Sequence, residues 1–379
     1  MAKRFFIDAS NLTGAGAVVV GMNLLRFLSA AGAADRFLYY LPDTPEFRAL
    51  EVMPNCKTVF RRWPTGMANN FSRLFDLHLG LPLMVRRFSP DVCLTLGDIG
   101  PIRPGCKHVL FVHQAMLIST EADLSGMGSW SSYKRLYLTR HFAASLHRVS
   151  RIIVQTPVMA EHVAQKYHFD RNRISVIPQP IPEHVRSNAG RPLHPAIAGC
   201  AKPVRLLFLA RYYSHKNHGI LPAVLDELRK RGMQDSVHIF TTVEDGVASS
   251  TDFMKEMYRQ KDLITNLGLL PMDEVAGALG ASSALFLPTL SESYGLIYVE
   301  ALSCGVPILT SDRDFARWMC KDLAHYFDPM NPVSIVDAIA RITSQPVASY
   351  AARAGERLAE LPRDWKELAE AFLAVLQEQ

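Results

Sequence analysis

Short apolar runs alternate with helical patterns twice along these 379 residues, and that alternation restricts the possible folds more than any single motif. Before residue 180 the runs are Arg4–Asp8, Phe37–Leu41, Lys57–Arg61, Val92–Leu96, His108–His113, Arg151–Gln155 and Ile174–Pro178. Helical patterns lie between many of them, as at 18–31, 128–147 and 157–168. Strands that are apolar almost throughout belong to parallel sheets covered on both faces. The pattern breaks at 179–203, where Pro180, Pro182, Pro192 and Pro195 cluster without periodicity, as in a linker. It then restarts with strands expected at Arg205–Ala210, Val237–Thr241, Ile264–Leu269, Ala284–Pro288, Pro307–Thr310 and His325–Asp328. Leu221, Val224, Leu225 and Leu228 recur at i, i+3, i+4 and i+7, which predicts a helix over 219–231. A last helix over Asp364–Gln379 carries Leu368, Phe372, Val375 and Leu376 on one face.

The expected fold class is therefore α/β, with two doubly wound parallel-sheet lobes facing a cleft. The expected division is a lobe at 1–180, a linker at 181–203, a lobe at 204–360 and a terminal helix at 361–379. Ligands of open parallel sheets bind beyond the carboxyl ends of the strands. Neither lobe shows a clean G-x-G-x-x-G with a partner acid, which argues against a dehydrogenase.

Apolar residues at 49% and charged residues at 20% fit a soluble globular chain. No apolar run approaches the roughly 18 residues that span a bilayer. The segment Met1–Asp8 enters a strand directly, without the apolar core and cleavage site of a signal peptide. None of the cysteines (Cys56, Cys93, Cys106, Cys200, Cys304, Cys320) forms a C-x-x-C pair, so free thiols in a reducing cytoplasm are expected. Residues 1–185 carry 21 Lys/Arg against 13 Asp/Glu, a net +8, while the remainder is −3. A basic first half suits phosphates or anionic lipid head groups. Arg61-Arg62-Trp63, Phe71–Phe75 and Arg86-Arg87-Phe88 mix cations with aromatics, as a peripheral membrane contact would require. No recognition helix, zinc site or aromatic ribonucleoprotein motif points to nucleic acid.

The chemistry concentrates in Ser291–Pro307. Glu292 lies in the loop after a strand, Gly295 stands where a helix should start, and Glu300 lies inside that helix. With ~1.5 Å of rise per residue and the loop added, the two carboxylates should stand roughly 10 Å apart, grasping two ends of one ligand. The amides of Tyr294, Gly295 and Leu296 would face whatever lies between, and a diphosphate suits a helix N-terminus. Arg211 and Lys216, following the first strand of the second lobe, would neutralise it.

This segment resembles the E-x7-E signature of retaining GT-B glycosyltransferases of family 4, over about 17 contiguous residues. The resemblance implies that Glu292 binds the donor sugar's hydroxyls and Glu300 the ribose. It also places Ser293, Tyr294, Gly295 and Leu296 in the nucleotide-sugar site. Arg211 and Lys216 resemble the family's G-R-x…K element, with Ala210 where glycine is usual. Asn11–Gly16 resembles the glycine-containing first loop, which makes Gly14 and Gly16 candidates facing the donor phosphates. His113 resembles the histidine placed over the donor sugar, although Gln114 replaces the usual acid beside it. Ile177-Pro178-Gln179-Pro180 departs from the usual I-P-N-G-V-D.

The resemblance implies same-face substitution in which the leaving phosphate deprotonates the incoming hydroxyl. No Asp-x-Asp motif is assigned to a diphosphate-bound metal, and no metal or other cofactor is expected. The donor implied by the resemblance is a UDP- or GDP-linked hexose, with general likeness favouring GDP, and the base is expected near Gly268–Leu270. The acceptor implied by the resemblance is a glycan or lipid-linked glycan of bacterial surface polysaccharide assembly. Other GT-B enzymes, such as sugar-phosphate synthases or nucleotide-sugar epimerases, and a non-catalytic nucleotide-sugar binder are the alternatives.

Overall fold

The computed structural model describes residues 2–12, 15–61, 79–101, 104–119, 132–186, 192–244, 246, 250–342 and 347–379. Two compact units emerge. Of the described residues, the first holds those up to Pro180 together with Pro362–Gln379, and the second holds those within Ile181–Leu361. No helix among the described residues is long and apolar enough to cross a membrane.

The first unit holds seven parallel strands: β1 (Arg4–Asp8), β2 (Arg36–Pro42), β3 (Cys56–Arg61), β4 (Val92–Thr95), β5 (Lys107–Val112), β6 (Arg151–Val154) and β7 (Ile174–Val176). They lie in the order β3-β2-β1-β4-β5-β6-β7. Central strand β1 aligns Phe5 with Phe37 on one side and Val92 on the other. Phe5, Phe6 and Ile7 are fully buried, which is why the run shows no polar alternation. Helix Ala15–Ala31 packs against helix Trp365–Gln377. The buried face of the terminal helix includes Leu368, Phe372 and Leu376. Its start is capped by Asp364, whose carboxylate accepts the Glu367 N–H at 2.9 Å. Its end is tied down through Asp35, which accepts from Gln377 Nε2 at 3.2 Å and from the Lys3 N–H at 2.9 Å.

The second unit repeats the plan with β8 (Val204–Phe208), β9 (Val237–Thr241), β10 (Ile264–Asn266), β11 (Ala284–Leu287), β12 (Ile308–Ser311) and β13 (Ala324–Phe327). Their order is β10-β9-β8-β11-β12-β13, all parallel. Both sheets reverse direction of strand addition beside their first strand, and such a switch point is where an open sheet leaves a crevice. One hydrophobic core, including Leu207, Phe240, Phe286 and Leu309, fills this unit. Strand β10 is shorter than the apolar run suggests. Asn266 ends it by pairing its side-chain amide with both the N–H and the carbonyl of Val243, each at 2.9 Å.

The described residues of the stretch expected to be a linker, 181–203, belong to the second unit. Residues 183–186 and 195–198 form short helices, and Val185 and Ile197 are buried in its core. Pro192 passes so close to Gly277 that a Cβ there would lie 2.4 Å from the Pro192 carbonyl oxygen. Segments 62–63 and 71–75 of the proposed membrane face lie outside the described residues, while Arg86 and Arg87 end a short helix, Leu81–Phe88. All six cysteines are free, and Cys56, Cys93 and Cys320 are buried.

Buried histidines, His108 and His218 among them, make the fold sensitive to acid. His108 is fully buried beside Thr95 Oγ1 (3.0 Å), and burial pushes its pKa down to about 4. His218 stacks on Phe208 with ring centroids 4.3 Å apart, and burial followed by the Lys216 charge brings it to about 3. An unfolded histidine protonates near ~6.5, so below that pH the unfolded chain takes up protons that the folded chain refuses. Stability should therefore fall as pH drops from about 6.5 toward about 4, by up to about 1.4 kcal/mol per pH unit for each ring. Above about pH 7.5 both states are neutral and the effect disappears. His218→Phe should flatten the slope by about one proton in urea titrations at pH 7.5, 5.5 and 4.5. An unchanged slope would show that His218 does not resist protonation.

Candidate functional site

The switch point of the second unit lies between β8 and β11, and most of the sequence candidates stand at their carboxyl ends. After β8 the chain passes Arg211 and makes a short turn, Ser214–Lys216. Asn217 follows with φ of 61°, a left-handed conformation that asparagine tolerates, and its Nδ2 donates to the Pro329 carbonyl at 2.9 Å. After β11 the loop carries Thr289, Ser291 and Glu292 to helix Leu296–Ser303. The two loops are latched by the His215 carbonyl, which accepts from the Leu290 N–H at 2.7 Å.

This latch brings Lys216 Nζ into a direct ion pair with Glu292 Oε1. Thr289 Oγ1 lies 3.0 Å from the same carboxylate oxygen and 3.0 Å from the His215 carbonyl. Side-chain exposure is only 16% for Lys216 and 11% for Glu292, so each charge depends on the other. Burial alone would raise the Glu292 pKa. The ammonium of Lys216 and the hydrogen bonds from Lys216 and Thr289 outweigh it and hold the carboxyl below its ordinary value. His215 is driven the other way, to about 4, by burial and then by the Lys216 charge, so it is neutral at pH 7.

Arg211 and Lys216, expected to neutralise a diphosphate, each meet a carboxylate here. Arg211 Nε lies 2.9 Å from Glu244 Oε1, just beyond the end of β9. A charge placed at a crowded strand end acquires a counter-charge because partial burial otherwise costs several kcal/mol. An anionic ligand would have to exchange partners with these carboxylates.

Gly295 opens the helix in the left-handed region, with φ of 73°. A Cβ there would lie 2.5 Å from the Tyr298 ring, so both conformation and packing require glycine. The Tyr298 N–H donates to the Gly295 carbonyl at 2.9 Å and closes the first turn. Amides before this point have no intrahelical acceptor. Ser293 is half-buried, whereas the Tyr294 side chain is buried near Trp318. Tyr294 can therefore offer a ligand only its backbone. Glu300, one helical stretch further on, has His184 Nε2 3.1 Å from its Oε1. In the segment proposed to meet the base, Gly268 has φ of 75°, Leu269 is exposed and Leu270 is buried.

In the first unit, His113 follows β5. Asp98, itself at φ of 63°, accepts the N–H groups of His113 and Gln114 on Oδ1 at 2.8 and 3.0 Å. Its Oδ2 lies 3.3 Å from His113 Nε2. The imidazole stacks on Phe111, and Phe111 meets Phe372 of the terminal helix edge-on at 5.2 Å. Gly16 lies in the first turn of helix Ala15–Ala31, exposed, with no atom within 4 Å of an added Cβ. Packing does not demand glycine there. Gly14 lies outside the described residues.

Thr289, Glu244, His184 and Asp98 escaped the sequence reading. Three of them sit just past the ends of β11, β9 and β4, and that placement was the available signal. Among the described residues no group of three or more His, Cys, Asp or Glu side chains could hold a metal ion.

Comparison with known proteins agrees with this architecture. Residues 196–378 match the family described as glycosyl transferases group 1, and residues 14–184 match Glycosyltransferase Family 4. The D-inositol 3-phosphate glycosyltransferase of Arthrobacter sp. is 28% identical over 167 residues, 43% of this chain. That match spans about two fifths of the relative's length (39%). Sucrose-phosphate synthase from Thermosynechococcus elongatus superposes with a TM-score of 0.72 at 15% identity, covering 99% of this chain and 98% of that one. Anabaena HepE in complex with UDP and glucose gives 0.68 at 15% identity, with both chains covered completely. At such identity the likeness is one of fold. With a family match over each half of the sequence and a shared fold over its whole length, the chain belongs to the GT-B glycosyltransferases of family 4, the glycosyl transferases group 1.

Proposed function

We propose that this chain is a retaining glycosyltransferase that moves a hexose from a nucleoside diphosphate sugar to a hydroxyl of a glycan or lipid-linked glycan, without a metal ion. The observation that carries the proposal is the Lys216–Glu292 pair at the second unit's switch point, beside the helix start opened by Gly295. It sets a cation for phosphate next to a carboxylate that can accept sugar hydroxyls. In a nucleotide sugar those two groups are neighbours across the bond that breaks.

The bond from the sugar's C1 to the phosphate oxygen breaks while one from the acceptor oxygen forms on the same face. The acceptor's proton passes to the departing phosphate. Arg211, Lys216 and the amides of Gly295 and Leu296 take up the charge that develops on the phosphate, a role of electrostatic stabilisation. Glu292 holds the sugar and Glu300 the ribose. In the first unit His113, fixed by Asp98, is assigned to the donor sugar.

UDP and GDP are the two bases to distinguish. UDP gains weight from the UDP-bound HepE, which shares the fold, while likeness to polysaccharide-assembly enzymes favours GDP. The inositol phosphate of the Arthrobacter relative's name adds a phosphorylated polyol to the acceptors worth testing.

A thermal-shift panel of nucleotides and nucleotide sugars should select one nucleoside diphosphate. Saturation at about 100 times Kd would stabilise the chain by about 2.7 kcal/mol. No shift with any nucleoside diphosphate would remove the proposal. With the selected donor, EDTA should leave the initial rate unchanged.

Lys216→Ala should lower transfer by about 100-fold or more. It should also destabilise the fold by about 3 kcal/mol, because it strands the Glu292 carboxylate. In Lys216→Ala combined with Glu292→Gln, the stability loss should be smaller than the sum of the single losses. Additive losses in urea melts would show that the two side chains do not act as a pair.

A further inference from the structure

His184 comes from the proline-rich stretch that carries no part of the E-x7-E segment, yet its ring meets the second glutamate of that segment. Val185, 1% exposed, anchors the short helix Glu183–Arg186 in the second unit's core, against helices Val275–Ala281 and Leu296–Ser303. This anchoring delivers His184 to Glu300, whose side chain is 12% exposed. Nε2 lies 3.1 Å from Oε1, but the atom is buried and forms no hydrogen bond of good geometry. Among the described residues, His184 is the one side chain that meets the Glu300 carboxylate.

A buried ring nitrogen left without a hydrogen bond costs stability, about 1–3 kcal/mol for an unsatisfied polar group. The fold gains little from this contact, so a functional account is called for. The contact reaches Oε1 alone, so it restrains the glutamate through an off-line N–H and leaves the remaining lone pairs open to a ligand. A free glutamate side chain loses about 1.5–2 kcal/mol of rotamer entropy when a ligand fixes it. A side chain held in advance spares the ligand that cost. Accepting two adjacent hydroxyls is the task that most needs a carboxylate held at one angle.

Resting on the donor site proposed above, we infer that His184 is a positioning residue for Glu300. It presets the carboxylate to accept the 2′- and 3′-hydroxyls of the nucleotide's ribose. It thereby sets the preference for ribonucleoside over 2′-deoxyribonucleoside diphosphates.

Calorimetric titration of the full chain with UDP, GDP and their 2′-deoxy counterparts tests this. The wild type should bind the selected ribonucleotide at least about 10-fold tighter than its deoxy form, as expected when a buried carboxylate loses a hydroxyl partner. His184→Ala should cut that ratio by about fivefold, weakening the ribonucleotide while leaving the deoxynucleotide within about twofold. His184→Gln, which keeps a donor, should restore most of the ratio. His184→Phe, which keeps the ring without its nitrogens, should not, and these two variants carry the test if the alanine variant fails to fold. In a Glu300→Gln background, His184→Ala should have no further effect.

If Glu300→Gln abolishes the ratio while His184→Ala and His184→Phe leave it intact, the assignment of His184 is overturned and the donor site stands. Equal weakening of both nucleotides by His184→Ala also overturns it. If Glu300→Gln keeps the ratio, Glu300 does not meet the ribose and the site proposal fails together with this one.

Discussion

A carboxylate and an ammonium withdrawn together from water, Glu292 and Lys216, hold the second unit's candidate site in shape. Neither charge could sit there alone, because an uncompensated ion in a largely buried position costs several kcal/mol. The pair spans 76 residues of sequence and forms because β8 and β11 are neighbours in the sheet. Around it the backbone adopts conformations that only certain residues permit. Gly295 and Asn217 both lie in the left-handed region, one starting the helix and the other turning the cation's loop. The Leu290–His215 hydrogen bond joins the two loops independently of the charges.

The first unit applies the same sheet rule with different chemistry. Its switch point lies between β1 and β4, where a Cβ on Gly97 would come within 2.7 Å of Asn11. The two loops that line this crevice therefore approach closely only because residue 97 is glycine. One strand further on, Asp98 fixes the backbone and ring of His113, and Phe111 supports the imidazole from behind. Phe372 then makes the terminal helix part of that support, although nearly 260 residues separate it from His113 in the chain.

The thirteen strands among the described residues were legible because most are apolar runs covered on both faces, although β3 exposes Val59 and Phe60. The Glu292–Glu300 segment was legible because strand, loop acid, glycine and helix follow one another without interruption. The stretch at 181–203 was not. Val185 and Ile197 are single apolar anchors among prolines, and isolated anchors leave no period to detect. The partners of the site were hidden for a related reason. Glu244 meets Arg211 across 33 positions and His184 meets Glu300 across 116, and neither distance leaves a mark in local spacing.

The order of residues alone determined the class of fold, a loop glutamate followed by a helix glutamate, and a glycine where that helix begins. These follow from apolar periodicity and backbone sterics, which act within a few residues. Tertiary structure alone decided which charge faces which, that Arg211 and Lys216 are each balanced by a carboxylate, and that His184 lies over Glu300. Electrostatic partners are chosen by distance in space and by shared removal from water, and both are properties of the packed sheet rather than of the chain.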